Sequence, residues 1–468
     1  YESILSKAIK DVPQMMNEVS NLFENFYSCK YKRPFSVLKE LSEEGAVKNY
    51  NTFSSGLVFG FLIFQFLAII TICINYNIDM DFDENFKSVF PMFRGFFIIC
   101  LYWWIHGLNV YIWSSAKLNY RRIFQMDDKY SSSAEILTRA SIFSLILFCC
   151  ALLYLTKRIW PQSLYGLLEY IPLDTIPLIC WGILMIHLFT PLEIWNFDGR
   201  KFLGELLKES LTSIFYNVEC KDAFFMVQIC SFISTLRDVE YTFCFYAYYS
   251  SSLTSKKHFC SPTRTISRII SIIPIILRII QNIKEIKDTK LYPKFLSLCQ
   301  YILVISVYIF SLMWPNHPTL HLAWFVHAIV ASICMFLWDL SLEFGFLEKG
   351  DNFPLREKLF YKPKALYYFI LLYDLIVRFI WLLTLSPEVV YSMSRPEFIF
   401  MIINIMEIIR LGFWNCIKIE KKHMDICDGY KVSNDIELPF KKVLDKYVKD
   451  DAKDFVVLNR AEKVKVEV

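Results

Sequence analysis

Apolar stretches of about 20 residues, the length that takes a helix across a hydrocarbon core of roughly 30 Å, recur about ten times along this chain. Several carry charge near their middles, as in Leu366–Leu383 with Asp374 and Arg378. A charge at that depth costs several kcal/mol unless it is paired or lines a wet cavity. The pattern therefore predicts an all-α, polytopic transmembrane bundle with a polar path through it, since a helix that only anchored the chain would not carry such groups.

The expected spans are Phe53–Tyr76, Phe93–Ala116, Leu137–Leu155, Ile176–Trp195, Ala223–Tyr248, Thr265–Ile283, Phe295–Trp314, Leu320–Ser341, Leu366–Leu383 and Phe398–Ile417. Composition agrees, with 55% hydrophobic residues, 17% aromatic residues and a mean hydropathy of +0.36, too apolar for an ordinary soluble domain. No interdomain linker interrupts the hydropathy. The organisation read is a connector over 1–50, a membrane domain over 51–425 and a cytoplasmic tail over 426–468 that mixes Lys with Asp and Glu. The stretch Ile4–Phe26 has a helical apolar rhythm and then turns basic at Lys30, Lys32, Arg33 and Lys39, which fits a solvated helix leading into the membrane or a lipid-surface patch. The chain begins at Tyr1 without methionine or a signal-peptide pattern, so sequence is expected to precede it.

Orientation follows from basic residues. With 1–50 placed in the cytoplasm, the loops on that side hold roughly 17 Lys and Arg and the opposite loops far fewer, so both termini are expected to be cytoplasmic. The loop Asn77–Phe90, with Asp79, Asp81, Asp83 and Glu84, falls on the far side. No clustered basic footprint suggests nucleic acid. Of 14 cysteines, Cys73, Cys100, Cys149, Cys150, Cys180, Cys230, Cys244 and Cys334 lie in apolar runs and read as small hydrophobes. Without a CxxC pair or a Cys/His cluster, neither a disulfide framework nor a zinc site is supported. His106, His187, His321 and His327 are scattered over different segments and read as polar core residues rather than metal ligands.

Arg378 follows Asp374 by four residues and Arg410 follows Glu407 by three, so each pair shares a helix face. Asp339 and Glu343, four apart at the end of the eighth span, need a cation or solvent nearby. These groups either hold the bundle together as interhelical ion pairs or converge on a cavity. In the second case Arg378 and Arg410 bind an anion, because guanidinium stays charged when desolvated and its forked donors match a tetrahedral oxyanion. On the fifth span, Asp238 and Glu240 either pair with an arginine, Arg278 and Arg268 being the expected partners, or contact an ion directly. No Walker loop, nucleophile–base pair or metal motif is present, so neither ATP coupling, enzymatic activity nor a cofactor is expected.

The runs Met92-Phe93-Arg94-Gly95, Gly107-Leu108-Asn109-Val110-Tyr111-Ile112-Trp113 and Leu118-Asn119-Tyr120-Arg121-Arg122-Ile123-Phe124 resemble the opening signature of the EXS domain. This is the membrane domain of the inorganic phosphate exporters, which include the xenotropic and polytropic retrovirus receptor of animals and the PHO-type exporters of plants. The likeness continues through Asp238–Tyr246, Trp338-Asp339-Leu340 with Gly345, Leu355-Arg356-Glu357, Asp374 to Trp381, and Glu407 through Arg410, Trp414 and Asn415 to Glu420 and His423. It spans roughly Thr52 to Leu438.

The resemblance implies about ten helices in a multi-pass protein of the plasma membrane or of Golgi or endolysosomal membranes. It also implies export of inorganic phosphate along a central pathway, with a homodimer as an admissible assembly. An SPX domain sensing inositol pyrophosphates would precede residues 1–50 and is absent from this chain. Carried over residue by residue, the pathway arginine of the ninth helix falls on Arg378, the aromatic gate on Trp381, the carboxylates on Asp339 and Glu343, the pathway tyrosine on Tyr301, and the first arginine of the tenth-helix pair on Arg410. The chain departs from the pattern with Leu411 at the second arginine, Gln300 at the lysine before Tyr301, and Val227, Cys230 and Ile233 along the polar stripe of the fifth helix. The expected function is transport of phosphate, or a related anion, from the cytosol. The alternative is a non-transporting receptor, scaffold or trafficking protein with a decayed anion site.

Overall fold

In the computed structural model of the chain, the described residues are 56, 59–71, 84–126, 132–159, 171–192, 197–213, 215, 218–248, 260, 265–289, 292–313, 320–347, 353–356, 358–385 and 396–432. The connector over 1–50 and the tail beyond 432 lie outside them. Within them, regular structure is helical throughout: α1 (Phe59–Thr71), α2 (Glu84–Ser115), α3 (Tyr120–Ile123), α4 (Ser133–Ile159), α5 (Ile176–Phe189), α6 (Phe197–Leu211), α7 (Cys220–Ser231), α8 (Ile233–Ala247), α9 (Thr265–Thr289), α10 (Tyr292–Met313), α11 (Leu320–Trp338), α12 (Lys364–Leu385) and α13 (Pro396–Val432).

Among the described residues, five helical stretches are long and apolar enough to cross a membrane: Phe86–Ser115, Ser133–Ile159, Ile266–Asp288, Lys294–Ser311 and Leu322–Glu343. Two shorter apolar helices, Phe59–Thr71 and Leu173–Phe189, match the expected first and fourth spans. Buried ions occur on α2 (Arg94), α8 (Arg237, Asp238), α9 (Arg278, Glu285), α12 (Asp374) and α13 (Glu407, Arg410).

Three helices depart most from the expected boundaries, and the first, α2, begins at Glu84 rather than Phe93, so that residues 84–90 of the expected loop are helical. The fifth span is broken at Phe232, where the backbone leaves helical geometry between α7 and α8 and the Phe232 N–H returns to the Ile229 carbonyl at 3.0 Å. Helix α13 runs for 37 residues, about 55 Å at 1.5 Å per residue, and so extends well past the expected end at Ile417. The turns beyond Ile417 carry Lys418, Glu420 and Lys421. There Glu420, fully buried, accepts from the Phe360 N–H and the Tyr367 hydroxyl, both at 2.7 Å.

Helix α2 is central, packing against α4, α5, α8 and α13. On one side Phe96 meets Phe143 and Trp181 in an aromatic cluster. On the other side the approach to α13 needs Gly412, because a Cβ there would sit 2.4 Å from Cγ2 of Ile105. A polar pair joins α7 to α13 nearby: the Gln228 amide donates to Asn415 Oδ1 at 2.8 Å, and Asn415 donates back at 3.3 Å. The His106 ring stacks on Tyr102 at 6.0 Å, and His187 packs edge-on against Phe143, in line with core roles. The side chain of His321 lies outside the described residues.

One cysteine assignment is corrected. Cys244, read as a small hydrophobe, forms a disulfide with Cys260 beyond the end of α8. The 16-residue separation brings no sequence signature, so only the chain's return to α8 reveals it.

The end of α11 opens into a single π-helical turn, Asp339–Glu343. Trp338 and Glu343, five positions apart, would diverge by roughly 140° on an α-helix. The wider turn stacks them, and Trp338 Nε1 donates to Glu343 Oε1 at 3.2 Å.

Candidate functional site

A cavity of about 70 Å³ lies where α7, α8, α9, α10, the π-turn, α12 and α13 converge. Of the residues singled out from sequence, Arg378, Arg410, Tyr301, Gln300, Asp339 and Glu343 all line it. So do the three positions of altered polarity, Val227, Cys230 and Ile233. The helix break beside it has a use, since Ser231 at the end of α7 lies 3.4 Å from Arg410 Nη2. Interrupted helices of this kind free backbone and side-chain polar groups at membrane depth, where they can meet a ligand.

The guanidiniums are held in a connected network. Arg410 donates through Nε and Nη2 to the two oxygens of Glu407 at 2.9 and 2.7 Å, a forked pair, and through Nη1 to Asp374 Oδ1 at 3.2 Å. The same Asp374 oxygen is 3.7 Å from Arg378 Nε. Arg378 pairs through Nη2 with Asp339, whose other oxygen accepts from Trp414 Nε1 at 3.2 Å. Ser332 fixes the Arg378 turn by donating to its carbonyl at 2.9 Å. Glu343 is paired with Lys418 at the other end of the π-turn, and Lys421 donates to the Leu342 carbonyl. The π-turn is thus clasped from α12 at its start and from α13 at both ends.

Sequence reasoning missed the third cavity guanidinium. Arg278 of α9 was expected to partner Asp238; instead it lines the cavity, donates to Gln281 Oε1 at 3.0 Å and lies 3.8 Å from Glu285, which Lys294 also pairs at 2.5 Å. Its guanidinium lies 5.8 Å from the centre of the Tyr301 ring. Glu407, Trp338 and Trp414 were likewise unassigned, although the three-residue spacing from Glu407 to Arg410 signalled the first of these. In and around the cavity, Arg278, Arg378, Arg410, Lys294 and Lys418 face Asp339, Glu343, Glu407, Asp374 and Glu285, which balances the charge. Each guanidinium is thus held by a carboxylate, and burial makes these pairs electrostatically strong.

Asp238 belongs elsewhere. Its carboxylate takes both Nε and Nη2 of Arg94 at 2.9 and 2.5 Å, and Arg94 Nη1 reaches Glu397 at 2.6 Å. Gly95 permits this contact, since a Cβ there would lie 2.9 Å from that of Asp238. The expected partners Arg278 and Arg268 are replaced by an arginine 144 positions away. Glu240, half-buried on the same helix, is not among the cavity-lining residues. Leu411 is 1% exposed and packs with Ile98 and Ile408 against α2, facing away from the arginines. Trp381 lies in the last turns of α12, and its side chain falls outside the described residues. No His/Cys/Asp/Glu cluster of metal-holding geometry occurs among the described residues.

The start of α7 carries an acidic cluster. Asp222 accepts from the Glu219 N–H at 2.9 Å in a capping box, while Lys221 reaches Glu209 and Glu219 at 3.2 and 3.4 Å. Burial, reinforced by the Glu209 carboxyl, pushes Asp222 up to about 6.

The sequence profile of the EXS family matches residues 89–424. The chain is similar to "Solute carrier family 53 member 1" of Mus pahari, with 26% identity over 411 residues covering 83% of this chain and 58% of that protein. The human protein of the same name gives the same identity and shares. The "Xenotropic and polytropic retrovirus receptor 1 homolog" of Danio rerio is also 26% identical, over 412 residues, 83% of this chain and 58% of its own. The chain thus spans less than two thirds of the length of these relatives.

Proposed function

Because the chain belongs to the EXS family, we propose that it is a multi-pass membrane transporter moving inorganic phosphate, or a related oxyanion, out of the cytosol through the arginine-lined cavity. One observation carries this reading: Arg378 and Arg410, from two different helices, line one buried cavity and share the carboxylate of Asp374. Forked donors at membrane depth suit a tetrahedral oxyanion, and the balancing carboxylates supply somewhere for each guanidinium to return when the anion leaves. About ten spans with both termini cytoplasmic complete the proposal. The Cys244–Cys260 disulfide ties the end of α8 to the loop this orientation assigns to the far side, and it suits that assignment because disulfides persist in oxidising compartments. Trp381, one turn beyond Arg378, is the proposed gate, a bulky ring able to close a narrow path by packing and dewetting.

The experiment is radiolabelled phosphate efflux from proteoliposomes holding the purified chain. Efflux above protein-free liposomes, lost in Arg378→Ala and leaky in Trp381→Ala, is the expected outcome. A well-folded chain that moves no phosphate, or an Arg378→Ala variant that moves it normally, returns the arginines to a purely structural role and favours a receptor or scaffold.

A further inference from the structure

Helix α6 presents three kinds of surface. At about 100° per residue, Leu206 and Ser210 fall in one sector and are buried, while Leu203, Leu207 and Leu211 fall in a second and are 41%, 48% and 53% exposed. Lys201, Glu205 and Lys208 fall in a third, which is exposed and charged. Phe215, past the end of the helix with its N–H on the Thr212 carbonyl at 2.9 Å, adds a ring that is 81% exposed. A helix on a water-facing surface needs only two sectors, one buried and one polar. An apolar ridge lying between them is the form of a helix at a membrane boundary.

Both ends of α6 are pinned. Near its start, Arg200 donates to the carbonyls of His187, Thr190 and Leu192, at and just past the end of α5, at 2.7, 2.6 and 2.8 Å. Near its other end, Glu209 pairs with Lys221 at the start of α7 at 3.2 Å. About 13 Å of helix separates the two anchors. With α5 and α7–α8 as the fourth and fifth spans, the end of one and the start of the other lie at the same face of the membrane, and α6 runs along that face. Its ridge then continues the apolar surface of α5, on which Ile186 and Phe189 are exposed, through the exposed Leu192.

We propose that α6 is an interfacial helix whose partner is the bilayer itself: Leu203, Leu207, Leu211 and Phe215 enter the acyl boundary of the leaflet, while Lys201, Glu205 and Lys208 stay in water. This rests on the ten-span reading but not on the identity of the transported ion. Four side chains fall well short of the roughly 800 Å² per partner that a standard protein interface buries, which disfavours a second copy of the chain as the occupant. Charge does not supply the attraction either. Arg200, Lys201 and Lys208 are matched along the helix by Asp198, Glu205 and Glu209, so apolar burial rather than the headgroup sign drives the contact.

Photolabelling tests this. The purified full chain is reconstituted in phosphatidylcholine vesicles containing a phosphatidylcholine with a diazirine in its acyl chain, irradiated, and the labelled residues are read by mass spectrometry. Label on the ridge, at a yield unchanged when phosphatidylserine replaces part of the phosphatidylcholine, is the expected result. Leu207→Glu combined with Leu211→Glu is expected to abolish that label while leaving the melting temperature in detergent close to that of the parent, because both side chains are exposed. A ridge without acyl label, a ridge cross-linked to a second copy, or a label that needs phosphatidylserine or survives the double variant overturns the proposal. Exposed Ile142 of α4 and Ile186 of α5 are the internal controls. With both labelled and the ridge bare, the interfacial helix falls and the spans stand. With Ile142 labelled and Ile186 bare, the span reading of α5 falls and the proposal falls with it.

Discussion

Arg410 Nη1 and Asp374 Oδ1 stand 3.2 Å apart across the contact between α12 and α13, and that same oxygen is the one nearest Arg378 Nε. One carboxylate thereby joins the two arginines that line the cavity, and neither can be repositioned without the other sensing it.

Replacing Asp374 by alanine is expected to destabilise the bundle by about 3–5 kcal/mol, because it leaves two buried cations short of a partner. Thermal unfolding in detergent measures it. A variant as stable as the parent would show that Glu407 and Asp339 alone satisfy the pair.

The two positions where the family resemblance implies cations should respond in opposite ways. Leu411→Arg puts a charge among Ile98 and Ile408 at a site 1% exposed, and a loss of several kcal/mol or a failure to fold is expected. Gln300→Lys enters the cavity wall and is expected to change stability by less than about 1 kcal/mol. Comparing melting temperatures decides it, and a stable Leu411→Arg variant would show that α13 can rotate to bring residue 411 to the cavity.

Gly412→Ala is expected to cost about 1–3 kcal/mol through overpacking against Ile105. The double variant Gly412→Ala with Ile105→Ala should recover part of the loss, since it removes the methyl group that collides. Additive losses would mean that the helices separate rather than clash.

Asp222 gives a pH signature. Its folded-state value of about 6 lies above the ordinary 3.8, so its protonated form favours the fold. The stability it contributes is complete below about pH 4 and is lost as pH rises through about 6, a decline on the order of 2 kcal/mol. Asp222→Asn keeps an acceptor for the Glu219 N–H and removes the titration. Relative to the parent it should be stabilising at pH 7 and nearly neutral at pH 4.5, and parallel stability–pH curves for the two proteins would refute this assignment.

The convergence of Arg378, Arg410, Asp339 and Glu343 was legible because charges inside apolar runs have few places to go except inward, and because residues three and four apart share a face. Partner choice was not legible. Asp238 meets Arg94 rather than Arg278 because helix packing order, set by contacts such as Gly95 against α8, decides which arginine reaches it. The break at Phe232 carries no glycine or proline to announce it. Leu411 follows a simpler rule: adjacent residues on a helix point roughly 100° apart, so with Arg410 on the cavity its neighbour turns toward α2. The extension of α13 past Ile417 was hidden because its Lys and Glu residues form helix readily while ending the hydropathy signal.

The π-turn at Asp339–Glu343 has a genetic meaning. A π-turn contains one residue more than the α-turn it replaces, so it corresponds to a single inserted codon in the gene. Deleting any one residue there would restore regular helix and swing everything after it by roughly 100°, carrying Glu343 away from Lys418 without substituting any side chain of the cavity. Across descendants of such a gene, a one-codon length change at this turn would therefore remodel the cavity more abruptly than most point substitutions within it.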